Sequence, residues 1–547
     1  MDKLMKRPVL AVIIFLVLSW YLFFFRLDAV GLTDPDETFY AQTAKEMLSK
    51  GEWLTPHIFG KPQFEKPILF YWLVEISFKV FGVNETAARL PSAVFGTIGI
   101  AAIYFLGSLL FNKRTGLIAA AMLATSVEYV ILSRACVTDM TLFSLMLLGA
   151  LFFFYGHLKG RRYAYLLSAA FFALAVLTKG PIAVMLPGLA ILLYFTFTRG
   201  WKSFFKIPFL PMAAVFIAVS APWYLAMYRV HGSAFIDAFF GFQNVTRFMQ
   251  SEHKIGSQFY YNVPILLAGF FPWSIFLPFG LWHAFKKVTS DQRPATNDQK
   301  GLIFALAWFF SIFLFFTASS TKLPTYIFPC FMAAALIAGV SWDDFLKINP
   351  SGVVDKWVRG ACYAFVAMVP IGITGASIYL GGHHPSILKN LAIPYSMLLF
   401  GALMSLAALL NGKKLWTFIL IAYTMLLFLY PVSKLVLPEL DRLETSKTIA
   451  AKLAKMMSPG EKIGTEDRYM EGLKFYTGLI PHKLGNFDSI MSFLGSENRV
   501  WCVLKERGAG QFQVPGVYAV YRLGKRVILT NRMPGDGKYP ANRGNIK

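Results

Sequence analysis

Residues 8–25 read PVLAVIIFLVLSWYLFFF and directly follow Lys3, Lys6 and Arg7. A secretory signal would have a shorter apolar core and a small-residue cleavage site, and neither is evident. The stretch therefore predicts an uncleaved transmembrane helix whose basic end stays in the cytoplasm. Whole-chain composition agrees: 56% of the 547 residues are hydrophobic, only 15% are charged, and mean hydropathy is +0.52. Soluble domains carry roughly a quarter charged residues, so an ordinary cytosolic enzyme is excluded. The 53 Phe and 12 Trp exclude a disordered chain.

Further apolar runs centre near residues 98, 122, 147, 170, 189, 218, 270, 309, 332, 369, 401 and 424, which makes thirteen candidate spans. With the N-terminus inside, alternate loops hold Lys113 and Arg114, then Lys159, Arg161 and Arg162, then Arg199, Lys202 and Lys206. The same side continues with Lys286, Lys287, Arg293 and Lys300, then Lys347, Lys356 and Arg359, then Lys413 and Lys414. Most opposite short loops carry single cations such as Arg134, Lys179 and Lys322. This asymmetry is the positive-inside pattern. It accounts for much of the net charge of +23 without invoking nucleic acid.

Three regions depart from simple spans. Residues 27–86 form a long external loop, in which 35–50 places Tyr40, Ala44, Met47 and Leu48 on one face, as in a helix lying at the membrane interface. Residues 229–257 form a second external loop. The membrane domain is expected over 1–437, and 438–547 reads as a small soluble α/β or α+β domain outside the membrane. That domain has a helix near 445–457, strands near 462–464, 499–504 and 517–522, and a loose tail from Pro534. The four cysteines, Cys136, Cys330, Cys362 and Cys502, show no CxxC spacing, so neither a disulfide framework nor a zinc site is indicated.

Ionisable residues near the outer ends of spans are the informative ones, because charge near hydrocarbon is costly. The densest group is Thr33-Asp34-Pro35-Asp36-Glu37-Thr38-Phe39-Tyr40. Asp34 as N-cap, Pro35 at N1 and Glu37 at N3 would make a capping box. Capping leaves Asp36 over, with Tyr40 one turn later. Asp139, at the outer start of another span, suits an N-cap, a partner for Arg134, or a functional carboxylate. Lys66, Lys179, Arg247 and Lys322 stand in segments rich in Gly, Pro or hydroxyl residues, which are poor contexts for snorkelling anchors. Cations and carboxylates on one membrane face suit a phosphate-bearing lipid attacked by an acceptor.

The stretch 34–51, then Phe64-Glu65-Lys66-Pro67 with Tyr71-Trp72, then Phe81-Gly82-Val83-Asn84-Glu85 with Ala88-Arg89-Leu90-Pro91-Ser92, resembles the aminoarabinose transferase family. That family is related to the protein O-mannosyltransferases of the GT-C glycosyltransferase superfamily. The likeness continues through Thr138-Asp139-Met140, Leu177-Thr178-Lys179-Gly180-Pro181, Arg247-Phe248, Phe271-Pro272-Trp273-Ser274 and Lys322-Leu323-Pro324-Thr325-Tyr326, and covers roughly residues 8–340.

The resemblance implies a GT-C fold and an enzyme that moves a monosaccharide from a polyprenyl phosphate, such as undecaprenyl phosphate, to an acceptor outside the cytoplasm. It places the leading catalytic carboxylate on Asp36, beside Glu37, and a second functional acid on Asp139. It places phosphate-binding groups on Tyr40, Lys66 and Arg247, with Lys179, Lys322 and Tyr326 as further candidates. Some relatives carry Tyr three residues before the motif Lys, where this chain has Gln63. Relatives can also hold a metal between the motif Glu, here Glu65, and a His just before the motif Arg. This chain has Phe242 and Gln243 in that vicinity, so Glu65 is its sole metal candidate. No GxxxxGK[ST] loop occurs, which fits a lipid donor rather than a nucleotide sugar.

The expected partners are therefore a polyprenyl-phosphate sugar, a lipid or glycan acceptor such as lipid A, and the membrane, with no nucleic acid and a monomeric state. Inner-membrane location with a periplasmic active site follows from the same reading. The rival is a lipid flippase or transporter. Such a protein would place ionisable groups near the bilayer midplane within internal repeats, and no repeat is visible in the sequence.

Overall fold

The computed structural model describes residues 17–246, 258–290, 296–383, 385–505, 515–524 and 526–533. Two compact units emerge. One comprises Met1–Phe25, Gln63–Leu73 and Arg89–Pro431, and the other Arg26–Pro62, Val74–Ala88 and Val432–Lys547.

Apolar runs of 19 to 31 residues make the first unit helical. Among the described residues seven helices are long and apolar enough to cross a membrane, including Glu85–Leu110, Thr138–Lys159, Phe209–His231 and Asn297–Ala318. Two bent pairs bring the number to nine. Lys113–Ala124 turns by 68° into Val127–Ser133, and Asn262–Gly269 turns by 116° into Trp273–Thr289. The runs expected near 170, 189 and 332 lie on the helices Arg162–Lys179, Ile182–Phe197 and Cys330–Phe345. The run at 8–25 is described only from residue 17.

The two bends meet at their breaks. Val127 N–H donates to Phe271 O at 3.2 Å, and the Trp273 indole N–H donates to Thr125 Oγ1 at 2.9 Å. Broken helices at membrane depth require such partners, because no water satisfies their freed backbone groups.

Among its described residues the second unit holds seven short strands. β1 (His57–Ile58) and β2 (Lys61–Pro62) form an antiparallel hairpin. β3 (Lys462–Thr465), β4 (His482–Lys483), β5 (Val500–Lys505), β6 (Tyr518–Leu523) and β7 (Arg526–Thr530) form one sheet in the order β4-β3-β5-β7-β6. β3 runs parallel to β4 and β5, whereas β7 is antiparallel to β5 and β6. Alternation along β5 sends Val500, Cys502 and Leu504 into one apolar cluster and Trp501 and Val503 into another. Both faces of the sheet are therefore covered, by helix Lys447–Met456 through Ile449 and Leu453 and by helix Phe487–Leu494 through Ile490 and Leu494.

The structure adds strands to those expected: β7 in the interior of the sheet, β4 at its edge, and the β1–β2 hairpin. Of the expected apolar face of the helix Asp36–Lys50, Ala44 and Met47 are fully buried, whereas Tyr40 and Leu48 are half-buried. Lys45 Nζ donates to Phe475 O at 2.7 Å, and Lys474 pairs with Glu46 at 2.8 Å, so helix Met470–Thr477 lies alongside it. The loose tail expected from Pro534 lies outside the described residues.

Candidate active site

Within the first unit, the helix Thr138–Lys159 starts one residue before Asp139, and the helix Arg162–Lys179 ends on Lys179. Each charge sits at the end of its helix that the backbone dipole favours. Lys179 Nζ donates to Asp139 Oδ1 at 2.6 Å, and both side chains are largely buried. Asp139 is thus neither the cap of its helix, where Val137 stands without a side-chain bond, nor the partner of Arg134. Arg134 donates to the carbonyls of Leu22 and Phe25 at 3.1 and 2.8 Å.

Lys179 also lies 5.3 Å from the Tyr326 ring centroid, a favourable cation–π contact. Tyr326 is placed by a short 3-10 turn, Pro324–Ile327, and packs on Phe316 at 5.1 Å.

These residues border a cleft of about 130 Å³ that Glu65 and Lys66 also line. The turn carrying Lys66 is held from both sides. Gln63 Nε2 donates to the Tyr71 hydroxyl at 2.7 Å while its Oε1 accepts the Glu65 N–H at 3.0 Å. Phe64 inserts against His231 and Phe235, with ring centroids 5.0 and 5.6 Å away. Gln63 therefore serves as a brace of the turn. The apolar walls include Leu142, Met146, Leu186, Phe315 and Phe316. Cations beside aliphatic and aromatic walls suit an amphiphile with an anionic head.

Lys322 does not border this cleft; its buried ammonium donates to Ser319 O at 2.7 Å within its own turn. Arg247 lies outside the described residues, and the side chains of Phe242 and Gln243 are likewise not described. Among the described residues no group of three or more His, Cys, Asp or Glu could hold a metal ion. Glu65 has no such donor set around it among the described residues.

Asp36, Glu37 and Tyr40 belong to the second unit. Asp36 opens the helix Asp36–Lys50 and is exposed, and Tyr40 is half-buried one turn on. The turn before them is built differently from a cap on Asp34. Glu37 is buried and folds back, its Oε2 accepting from the Thr33 N–H at 3.0 Å and from the Thr33 hydroxyl at 2.6 Å. Asp34 is buried and accepts from the Ser446 and Thr38 hydroxyls at 2.6 and 3.2 Å. Burial pushes its carboxyl up to about 6, and the Ser446 hydrogen bond and the Arg526 charge offset only part of that rise.

Sequence reasoning passed over the cleft's apolar walls, although their signal was present. Leu142 and Met146 follow Asp139 by three and seven residues, and Ile182, Ala183 and Leu186 follow Lys179 at spacings of one and two turns. It also passed over Glu128, a lone acid in an apolar run. Glu128 is buried with neither carboxyl oxygen hydrogen-bonded among the described residues.

Comparison with known proteins agrees with this geometry. Residues 65–225 match the family described as dolichyl-phosphate-mannose-protein mannosyltransferase. The undecaprenyl phosphate-alpha-4-amino-4-deoxy-L-arabinose arabinosyl transferase of Erwinia tasmaniensis is 31% identical over 408 residues, covering 71% of this chain and 70% of the relative. In fold, the chain matches the crystal structure of ArnT from Cupriavidus metallidurans bound to undecaprenyl phosphate. The TM-score is 0.80 at 23% identity, with 95% of this chain and 98% of that one covered. The apo oligosaccharyltransferase of Archaeoglobus fulgidus matches with a TM-score of 0.53 at 13% identity, covering 91% and 70% of the two chains. The mostly helical GT-C fold with its small C-terminal sheet is therefore the fold of this multi-pass membrane protein. The chain belongs to the undecaprenyl phosphate-aminoarabinose arabinosyl transferase family of membrane glycosyltransferases.

Proposed function

We propose that the protein transfers 4-amino-4-deoxy-L-arabinose, or a related pentose or hexose, from undecaprenyl phosphate to an extracytoplasmic acceptor, with lipid A the leading choice. The observation that carries this reading is the cleft in which Lys66 and Lys179 stand beside Leu142, Met146, Phe315 and Phe316. Such a site takes a phosphate head and the start of a polyprenyl chain together.

In the reaction an acceptor oxygen attacks the anomeric carbon from the face opposite the phosphate, with inversion. The bond from that carbon to the phosphate oxygen breaks, and undecaprenyl phosphate leaves with the electron pair. Lys66 and Lys179, with Arg247 and Tyr40, balance the negative charge that develops on the leaving phosphate. One well-placed donor at such a position is worth about 2.7–4 kcal/mol. Asp36 orients the acceptor and takes its proton where the acceptor is a hydroxyl. Asp139 holds Lys179 in place, as their 2.6 Å contact supports. Tyr326 offers Lys179 its ring face.

Residues 1–437 form the transferase domain and 438–547 a periplasmic domain. The protein sits in the inner membrane with a cytoplasmic N-terminus, a reading supported by the basic loops around Lys113, Arg161 and Lys202. The match of residues 65–225 to a protein mannosyltransferase family supports a second reading, with a protein or glycan hydroxyl as acceptor.

The test supplies membranes containing wild type or Asp36→Asn with radiolabelled undecaprenyl-phosphate sugar and with lipid A. Label passing to lipid A with wild type alone is the expected result. Equal transfer by both removes Asp36 from the mechanism. Label crossing the bilayer without transfer would mean a flippase.

A further inference from the structure

Four of the five residues that precede the Asp36 helix, Gly31 to Asp34, each contact the C-terminal domain. Gly31 N–H donates to Asp441 Oδ1 at 2.5 Å, and Leu32 N–H donates to the Tyr476 hydroxyl at 2.7 Å. Thr33 forms an isolated antiparallel bridge with Thr445. Asp34 accepts from the Ser446 hydroxyl at 2.6 Å, and Arg526 stands 3.9 Å from the same carboxylate oxygen. Arg526 is itself buried. It donates to Thr445 O at 2.5 Å and lies 4.7 Å over the Tyr469 ring. Gly472 closes the other side, where a Cβ would fall 1.9 Å from Asp34 Oδ1.

This cluster is a poor way to stabilise a domain. Both charges are buried, and at 3.9 Å they make no direct hydrogen bond. Desolvating such a pair costs several kcal/mol unless the geometry is excellent. The rise of the Asp34 carboxyl to about 6 records that cost. What the cluster does supply is register, since it locks the turn that ends two residues before Asp36.

We propose that Arg526 and Ser446 are positioning residues that set the placement of Asp36 through Asp34, so that the C-terminal domain completes the catalytic turn. The proposal rests on the reading of Asp36 as the acceptor-side carboxylate. A displacement near 1 Å costs about a hundredfold in rate, so this turn is where a remote domain has the most leverage on kcat.

The test uses the full-length protein in nanodiscs with undecaprenyl-phosphate aminoarabinose and lipid A. Arg526→Met is expected to lower kcat by about ten- to a hundredfold while leaving the donor KM within about twofold, because the lysines proposed to hold the donor phosphate, Lys66 and Lys179, do not lie on this turn or its helix. Arg526→Lys, which keeps the charge without the planar fork, recovers part of the loss. In an Asp36→Glu background, where the carboxylate is already displaced, Arg526→Met should add less than about threefold, because residues acting as a unit are non-additive. The same full loss in both backgrounds would overturn the proposal, as would a lower Tm with unchanged kcat per folded molecule. Should Arg526→Met not fold, Ser446→Ala removes a single hydroxyl and carries the same KM and kcat readout. An Asp36→Asn protein with wild-type kcat would instead sink the reading of Asp36.

Discussion

Lys179 and Asp139 form a 2.6 Å ion pair between the last residue of one helix and the second residue of another. Lys179 also borders the cleft, so under the proposed function its charge would serve both the resident carboxylate and the donor phosphate. Lys179→Met should raise the donor KM by at least about tenfold, since hydrogen bonds to charged groups contribute about 1.5–3 kcal/mol. Asp139→Asn leaves a largely buried ammonium without its carboxylate and should lower stability by about 3 kcal/mol. The Asp139→Asn/Lys179→Met double variant should lose less stability than the two single variants summed. Additive losses of Tm would show that the pair does not interact.

Tyr326 contributes its ring face to Lys179 at 5.3 Å. Tyr326→Phe keeps that face and should alter the donor KM by less than about threefold. Tyr326→Leu removes it and should raise the donor KM by about two- to thirtyfold, matching about 0.5–2 kcal/mol for a partly desolvated cation–π contact. Equal effects of the two substitutions would assign the role to the hydroxyl instead.

Glu37 returns its carboxylate to the N–H and hydroxyl of Thr33. Glu37→Ala should cost about 0.5–2 kcal/mol, as the loss of a helix-terminal cap does, because it releases the part-buried N–H and hydroxyl of Thr33. Glu37→Gln keeps an acceptor oxygen and should recover part of that. Thermal unfolding of the purified protein measures both, and equal Tm losses for Ala and Gln would count against the capping role.

The pH dependence turns on Asp34. Its carboxyl rises from 3.8 to about 6 through burial, with Ser446, Arg526 and Thr38 opposing. Arg526 and Tyr469 are the other titratable groups facing it. The folded state keeps this proton to higher pH than the unfolded chain does. Its stabilisation is therefore complete below pH 3.8 and is lost as pH rises through about 6, by about 3 kcal/mol.

Glu46 runs the opposite way. Burial alone would raise it, but hydrogen bonds from Lys474 and the Gly60 N–H prevail and hold it below the usual range. Its contribution is lost as pH falls. Comparing Tm of wild type and Asp34→Asn from pH 4 to 7 separates the two. The wild-type curve should decline relative to the variant between pH 4 and 6, and parallel curves would refute the assignment.

Much of this architecture was legible along the chain. Each expected apolar centre from 98 to 424 falls on a described helix or, at 270, in the break of a bent pair. Strands near 462, 500 and 518 stand within a residue or so of expectation, because short β-prone stretches such as the continuous apolar run Val500–Leu504 declare them locally. β7 was missed although Val527, Ile528 and Leu529 form a short apolar run. Three residues of that kind carry little period and cannot be told from a loop edge. The capping of the Asp36 helix was foreseen in kind but misplaced: Glu37 serves Thr33, while Asp34 is drawn away to Ser446.

By itself the sequence determined the membrane-spanning character, the family motifs and the residue types offered to a lipid phosphate. Those properties reside in contiguous stretches, where hydropathy and short motifs act over a few turns of helix. Tertiary structure alone decided which acid meets which cation. Asp139 chooses Lys179 over the much nearer Arg134, and Asp34 finds Ser446 across 412 residues of chain. Pairings of that kind follow from how helices and sheet pack, and packing is set by the whole molecule at once.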